Sequence, residues 1–279
     1  MKLAVLSGKG GAGKTLVAVN LAVTAGKAAY VDCDAEEPNG RLFLKPTELN
    51  TTEVSTLLPE FDSGKCIGCR KCVEFCRFNA LVFLRKKPMV FSEVCHSCGG
   101  CRLVCPAGAV SETACPVGVV EQGRRGDLKV FTGVLNVGEA SGVPVIQAAQ
   151  RAGLAAGEAF TVVDCPPGSA CAVMESVEAC DYCLLVAEPT AFGFHNFKMV
   201  YELAHLLGKP CGVVINKMDE PYEPLESFCE EHGIPVLLRI PFRRELAALA
   251  AQGRLVSQED AAAARMFREL LEKLGGEAV

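Results

Sequence analysis

Residues Lys2–Leu6 form an apolar run of strand length that passes directly into Ser7-Gly8-Lys9-Gly10-Gly11-Ala12-Gly13-Lys14-Thr15, and Lys14–Ala25 continues as a helical stretch. A strand, a glycine-rich loop and a helix in that order admit few folds. The glycines let the backbone turn its N–H groups inward around an anion, and the helix N-terminus adds partial positive charge there. Such a loop is built to hold phosphate. Gly8, Gly10, Gly11, Ala12 and Gly13 supply the cradle, Lys14 reaches the terminal phosphates, and Thr15 offers a hydroxyl to magnesium.

Further apolar runs recur at Ala28–Val31, Phe160–Val163, Tyr182–Val186, Gly212–Ile215 and Pro235–Leu238, with helical stretches at Val143–Ala152, Phe197–Leu207 and Leu225–Glu231. This alternation predicts an α/β fold, a mostly parallel sheet flanked by helices. Beyond a Ser257–Asp260 capping box, Ala263, Met266, Phe267, Leu270, Leu271 and Leu274 recur at helical spacing, which predicts a final amphipathic helix packed on the sheet. Val119–Asn136 reads as short irregular strands in a hairpin-like return. Between 61 and 108 the alternation stops and cysteines become dense. The expected organisation is therefore a domain formed by 1–60 and 109–279, interrupted by a small ferredoxin-like α+β insert at 61–108.

Of the 279 residues, half are hydrophobic and the formal net charge is −5. No basic patch dominates, which argues against nucleic acid, and no apolar stretch approaches the ~20 residues that cross a bilayer. A cytoplasmic protein with no membrane partner is the expectation. In that compartment sixteen cysteines are not a disulfide framework and point to metal chemistry.

Cys66-x2-Cys69-x2-Cys72-x3-Cys76 and Cys95-x2-Cys98-x2-Cys101-x3-Cys105-Pro106 match the spacing of bacterial two-cluster ferredoxins. Three thiolates of each run wrap one cubane while the fourth crosses to the other. Cys66, Cys69, Cys72 and Cys105 are thus assigned to one [4Fe-4S] cluster, and Cys95, Cys98, Cys101 and Cys76 to the second; zinc is the competing reading of any single CxxC pair. Arg77 stands where the first run would carry proline, and with Arg70 and Lys71 it brings positive charge that should raise the cluster potentials. His96 reads as a solvated loop residue, Cys180 and Cys183 as core, and Cys33, Cys115, Cys211 and Cys229 as buried small apolar groups.

Lys9 is an additional lysine inside the phosphate loop, and Lys9–Thr15 follows the pattern KGGxGKT. On these residues the chain resembles the MinD/ParA/Mrp (SIMIBI) group of P-loop ATPases, which includes the nitrogenase iron protein. The resemblance implies a dimer that sandwiches ATP and magnesium, with Lys9 acting across the interface and Lys14 within its own site. Asp32-Cys33-Asp34 looks like the first switch, so that Asp32 helps hold magnesium and Asp34 positions the attacking water. Asp164-Cys165-Pro166-Pro167-Gly168 resembles the Walker B aspartate and second switch, which places Asp164 near magnesium. Asn216 and Lys217 resemble the base-recognition strand end; the string through Asp219 also fits the guanine-reading NKxD pattern, whereas the overall resemblance favours adenine. Pro241-Phe242-Arg243 resembles the loop that packs on the base. Cys165 and Cys171 fall where the iron protein places a cluster-bridging cysteine, which leaves a further metal site open.

Together these readings imply an ATPase, homodimeric or paired with a paralogue, that couples nucleotide state to electron transfer toward a partner metalloprotein or to maturation of its cofactor. Two alternatives stay open: an iron-sulfur cluster carrier or scaffold, and a positioning ATPase with a redox-sensing insert.

Overall fold

The structure, a computed structural model, describes residues 1–85, 87–139 and 141–275. Strands β1 (Lys2–Leu6), β2 (Ala29–Asp32), β8 (Thr161–Asp164), β9 (Tyr182–Ala187), β10 (Cys211–Met218) and β11 (Val236–Pro241) run parallel in the order β11-β10-β9-β1-β8-β2. Next to β2 lies β7 (Leu128–Leu135), also parallel, and beyond it β6 (Val110–Arg125) and β3 (Thr47–Phe61) complete nine strands in antiparallel pairing. The central strands β2 and β8 are buried along their whole length, as expected of continuous apolar runs covered on both faces.

Helices α1 (Lys14–Ala25) and α2 (Gly40–Leu44) follow the first two strands, and α3 (Lys71–Phe75) and α4 (Gly100–Leu103) lie in the cysteine segment. Then come α5 (Val143–Ala155), α6 (Cys171–Glu178), α7 (Ala191–Leu206), α8 (Glu223–Glu231), α9 (Arg244–Ala251), α10 (Val256–Glu259) and α11 (Ala261–Lys273). Val17, Leu21, Phe267 and Leu271 from α1 and α11 seal one face of the sheet. Ile146, Val173, Phe197 and Leu225 from α5 to α8 seal the other. Among the described residues, no helix is long and apolar enough to cross a membrane.

Two expectations need correction. The region read as short irregular strands holds the C-terminal end of one 16-residue strand, β6, which begins before it at Val110, and the whole of the 8-residue β7. Its Gly, Glu, Gln and Arg residues obscure the period-two pattern because much of β6 belongs to a solvent-exposed arm. The final helix is capped by Asp260, which accepts a hydrogen bond from the Ala263 N–H at 2.8 Å, while Ser257 sits inside the short α10. Asp260 wins the cap because α10 ends immediately before it.

Strands β3 and β6 together form an arm, paired from Thr47↔Arg124 to Phe61↔Val110, and 62–109 hang from its far end. The Asp62 N–H donates to the Ala109 carbonyl at 2.9 Å, closing the base of that segment. Beyond it a separate hairpin, β4 (Leu81–Leu84) with β5 (Lys87–Val90), packs among the cysteine loops.

Candidate functional site

The phosphate loop joins β1 to α1 at the C-terminal edge of the parallel strands, where open α/β sheets collect ligands. Gly13 has φ 93°, and a Cβ there would lie 2.1 Å from the Asn216 side chain. Asn216 donates to the Ala12 carbonyl at 2.8 Å and so braces the loop from β10. The second switch is tied to the same turn, since the Gly168 N–H donates to the Ser7 carbonyl at 3.0 Å. Thr15 opens α1, half-buried beside Lys14.

Asp32 and Asp164 end adjacent strands in direct register and are both fully buried. Lys14 bridges the cluster, donating to Asp164 at 2.6 Å with Asp34 3.6 Å away. Burial opposes the charge on Lys14, but Asp164, Asp34 and Asp32 outweigh it and hold the ammonium above its ordinary pKa. Asp32 is pushed up by burial and by the Asp164 charge, against Lys14 and a hydrogen bond from the Gly40 N–H. Asp34 is pushed up to about 6, first by burial. Carboxylates at the ends of adjacent strands supply hard oxygen donors, the ligand type that suits magnesium, although here they converge on Lys14. Lys14, Asp34, Asp32 and Asp164 are thus brought together.

Tyr30 was not anticipated. Its hydroxyl, fully buried in β2, donates to the second oxygen of Asp164 at 2.8 Å, which leaves that carboxylate aimed by two donors. A tyrosine inside an apolar strand run carries no sequence signal beyond core packing. Tyr30→Phe keeps the ring and removes the donor, so magnesium-nucleotide affinity should fall several-fold for about 1 kcal/mol of stability. Unchanged affinity by calorimetric titration would deny Tyr30 an aiming role.

Lys9 is paired with Glu188 in its own chain and lies 5.3 Å from the centre of the Phe192 ring. Glu188 also accepts from Lys217 at 2.5 Å, and Lys217 donates to the Gly11 carbonyl at 2.6 Å. Burial works to raise the Glu188 pKa, but hydrogen bonds from Lys217 and Lys9 bring it below its ordinary value. Glu188 was missed, although it follows β9 at the edge where the other strand-end acids lie. Beside the loop, a hollow of about 240 Å³ is lined by Gly13, Asn216, Lys217, Pro241, Phe242 and Leu246. Its apolar walls and adjacent polar end match a flat heterocycle attached to phosphates. Asn216, Lys217 and Pro241 are therefore brought together.

The eight cysteines of the two runs line two separate hollows. Cys66, Cys69, Cys72 and Cys105 line one, while Cys76, Cys95, Cys98 and Cys101 line the other. The fourth cysteine of each run thus lies with the first three of the other. Burial pushes the Cys101 thiol up to about 11 and raises Cys72 as well. Among the described residues, no three His, Cys, Asp or Glu side chains close on one point as a single metal ion requires.

Other cysteine expectations need adjusting. Cys33, Cys165, Cys180, Cys183 and Cys229 are buried, but Cys115 and Cys211 are only half-buried, because Cys115 lies on the arm and Cys211 opens β10. Cys165 is enclosed in the core, so of the two switch cysteines only Cys171 reaches the surface. His96 is exposed yet stacks on Phe78 at 3.7 Å, a rim residue of the second hollow rather than a loose loop side chain.

A glycine loop at a parallel sheet edge, switch carboxylates and a base-sized hollow define a P-loop nucleotide-binding protein. Residues 3–256 match the CobQ/CobB/MinD/ParA nucleotide binding domain, and the chain belongs to that family. Among its relatives are the uncharacterized proteins MJ0578 and MJ0579 of Methanocaldococcus jannaschii. The first is 27% identical over 98% of this chain and 96% of its own, and the second 26% identical over 78% and 80%. Similar solved structures include the cell division ATPase MinD of Pyrococcus furiosus, with TM-score 0.62, 20% identity and 99% and 98% of the two chains covered. MinD of Pyrococcus horikoshii, complexed with Mg-ADP, gives TM-score 0.61 at 18% identity, over 98% and 95%. At these identities the structures establish a shared fold.

Proposed function

We propose that this chain binds and hydrolyses Mg-ATP in a dimer and couples its nucleotide state to electron transfer through two [4Fe-4S] clusters held by 61–108. The electrons, or the maturation they drive, go to a partner metalloprotein. The observation that carries this reading is the pair of four-cysteine hollows, each completed by the other run's fourth cysteine. A four-iron cube takes one thiolate at each of four separated irons, so its ligands line a hollow and do not meet at a point. Bound there, the clusters would supply one-electron chemistry.

The chain's own residues divide the hydrolytic work. Lys14 binds the terminal phosphates, and Thr15, Asp32 and Asp164 hold magnesium. Asp34 orients the water whose oxygen attacks the γ-phosphorus as its bond to the β–γ bridging oxygen breaks, that oxygen leaving with ADP. Lys9, released from Glu188, stabilises the developing charge across the dimer. Adenine stacks beside Pro241.

Coupling has a physical route. Asp32 pairs with Thr132, Thr132 with Glu121 and Glu121 with Thr51, so one row of residues crosses from the first switch to the arm. The Leu135 N–H also donates to the Ala35 carbonyl at 2.9 Å, fastening β7 to the switch. A ligand can shift only an equilibrium whose two states it contacts differently, and this row is where the switch and the arm share structure. Cluster midpoint potentials measured with ADP and with a non-hydrolysable ATP analogue test the coupling. A difference of about 60 mV, tenfold in a one-electron equilibrium, is expected; equal potentials sink it.

The exposure of Cys69 and Cys98 favours one second reading, a carrier that gives up iron and sulfur. ATP-dependent loss of iron to an apo-ferredoxin, at a rate matching that protein's activation, would select it over electron transfer.

A further inference from the structure

Charge is divided unevenly along this chain. Segment 61–108 carries eight Lys and Arg against three Asp and Glu, net +5, which leaves twenty against thirty, net −10, in the rest. The excess gathers around one of the two cysteine hollows. Ile67, 70% exposed, and the exposed Cys69 form its open lip. Arg70 lies 4.8 Å from the centre of the Phe83 ring and stays exposed, with Lys71 following it and Lys65 preceding the lip. The β4–β5 hairpin brings Phe83 and Pro88 to the same hollow, so Arg85 and Lys87 at its turn stand beside that lip. Only Lys65 of these five cations has an acidic partner among the described residues, Asp62 at 3.6 Å.

We infer that the Cys66/Cys69/Cys72/Cys105 face is the docking surface for an acidic redox protein, with Ile67 as its apolar centre and Lys65, Arg70, Lys71, Arg85 and Lys87 as its rim. The inference rests on the cluster reading above. An exposed apolar residue beside the electron-carrying group shortens the transfer path once water is expelled. Unpaired cations around it speed encounter with an anionic surface and set its orientation, an effect that salt screens. The acidic body of a second copy also complements this charge. Transfer between identical clusters, however, has no driving force and moves no electrons onward, so the fitting occupant is a different protein.

The test uses the full chain, prepared anaerobically, with labelled plant-type ferredoxin as acidic probe and cytochrome c as basic probe. Binding of the acidic probe should weaken about tenfold between about 20 mM and about 300 mM salt. The double variant Lys71→Glu/Lys87→Glu should lose about tenfold at low salt, while Lys27→Glu, exposed on the nucleotide-binding body, changes nothing. Iron counted on the same samples separates the two ideas: charge-dependent binding without iron keeps the docking face and removes the clusters. Salt-independent binding, equal binding of cytochrome c, or no effect of the double variant overturns the docking face. So does salt-sensitive self-association that the double variant abolishes in sedimentation, which would give the face to a second copy.

Discussion

Lys14→Ala is expected to abolish ATP hydrolysis and, independently, to destabilise the nucleotide-free chain by about 3–5 kcal/mol at neutral pH. The lysine is 94% shielded from solvent in side chain and backbone, and it is the cation between two fully buried carboxylates and a third nearby. Removing it leaves Asp164 with only the Tyr30 hydroxyl, beside an Asp32 whose charge repels it. The chain must then protonate one carboxylate or admit water, and both cost folding free energy. A second substitution separates structure from catalysis. In Lys14→Ala/Asp164→Asn the surplus charge is gone, so urea unfolding should recover most of the lost stability while hydrolysis stays absent. If the single variant unfolds like the parent, Lys14 is not the counterion that this geometry makes it.

Cys105→Ala is expected to remove the cluster of the first run and spare that of its own run. Iron should fall from about eight to about four atoms per chain. Combination with Cys69→Ala should leave it at about four, because both residues line one hollow, whereas combination with Cys98→Ala should bring it close to zero. Local ligation predicts the reverse. ATP binding should persist in every variant, since the cysteines hang from the far end of the β3–β6 arm while the nucleotide loop lies between β1 and α1. Co-loss of nucleotide affinity would mean that the segment supports the folding of the sheet.

Much of this site is written in local patterns. Lys14–Ala25 is a helix within the limits read from its residues, bounded by Gly13 and Gly26, both at positive φ. The grouping of Cys76 with the second run and Cys105 with the first is what the match to two-cluster ferredoxin spacing implies. The remainder depends on residues distant in sequence. Tyr30 and Asp164 are 134 positions apart, and Glu188 meets Lys9 from 179 positions away. No periodicity reports such contacts. The arm escaped for another reason: an exposed ladder needs no apolar alternation, so β3 and the first part of β6 carry no clear strand signal.

Glu188 also has a consequence for assembly. It holds Lys9 within its own chain, so on the proposed function closing a dimer around ATP would have to break that pair. Glu188→Gln should therefore dimerise at several-fold lower ATP concentration, read by sedimentation; an unchanged or higher requirement would deny the pair any restraining part.

The most direct measurement is a paired count, on one anaerobically purified sample, of iron and of bound ATP per chain. About eight iron atoms and one ATP, with Lys14→Ala losing only the nucleotide, is the outcome this architecture predicts. Iron far below that number, or a parent chain with no affinity for ATP, would contradict it.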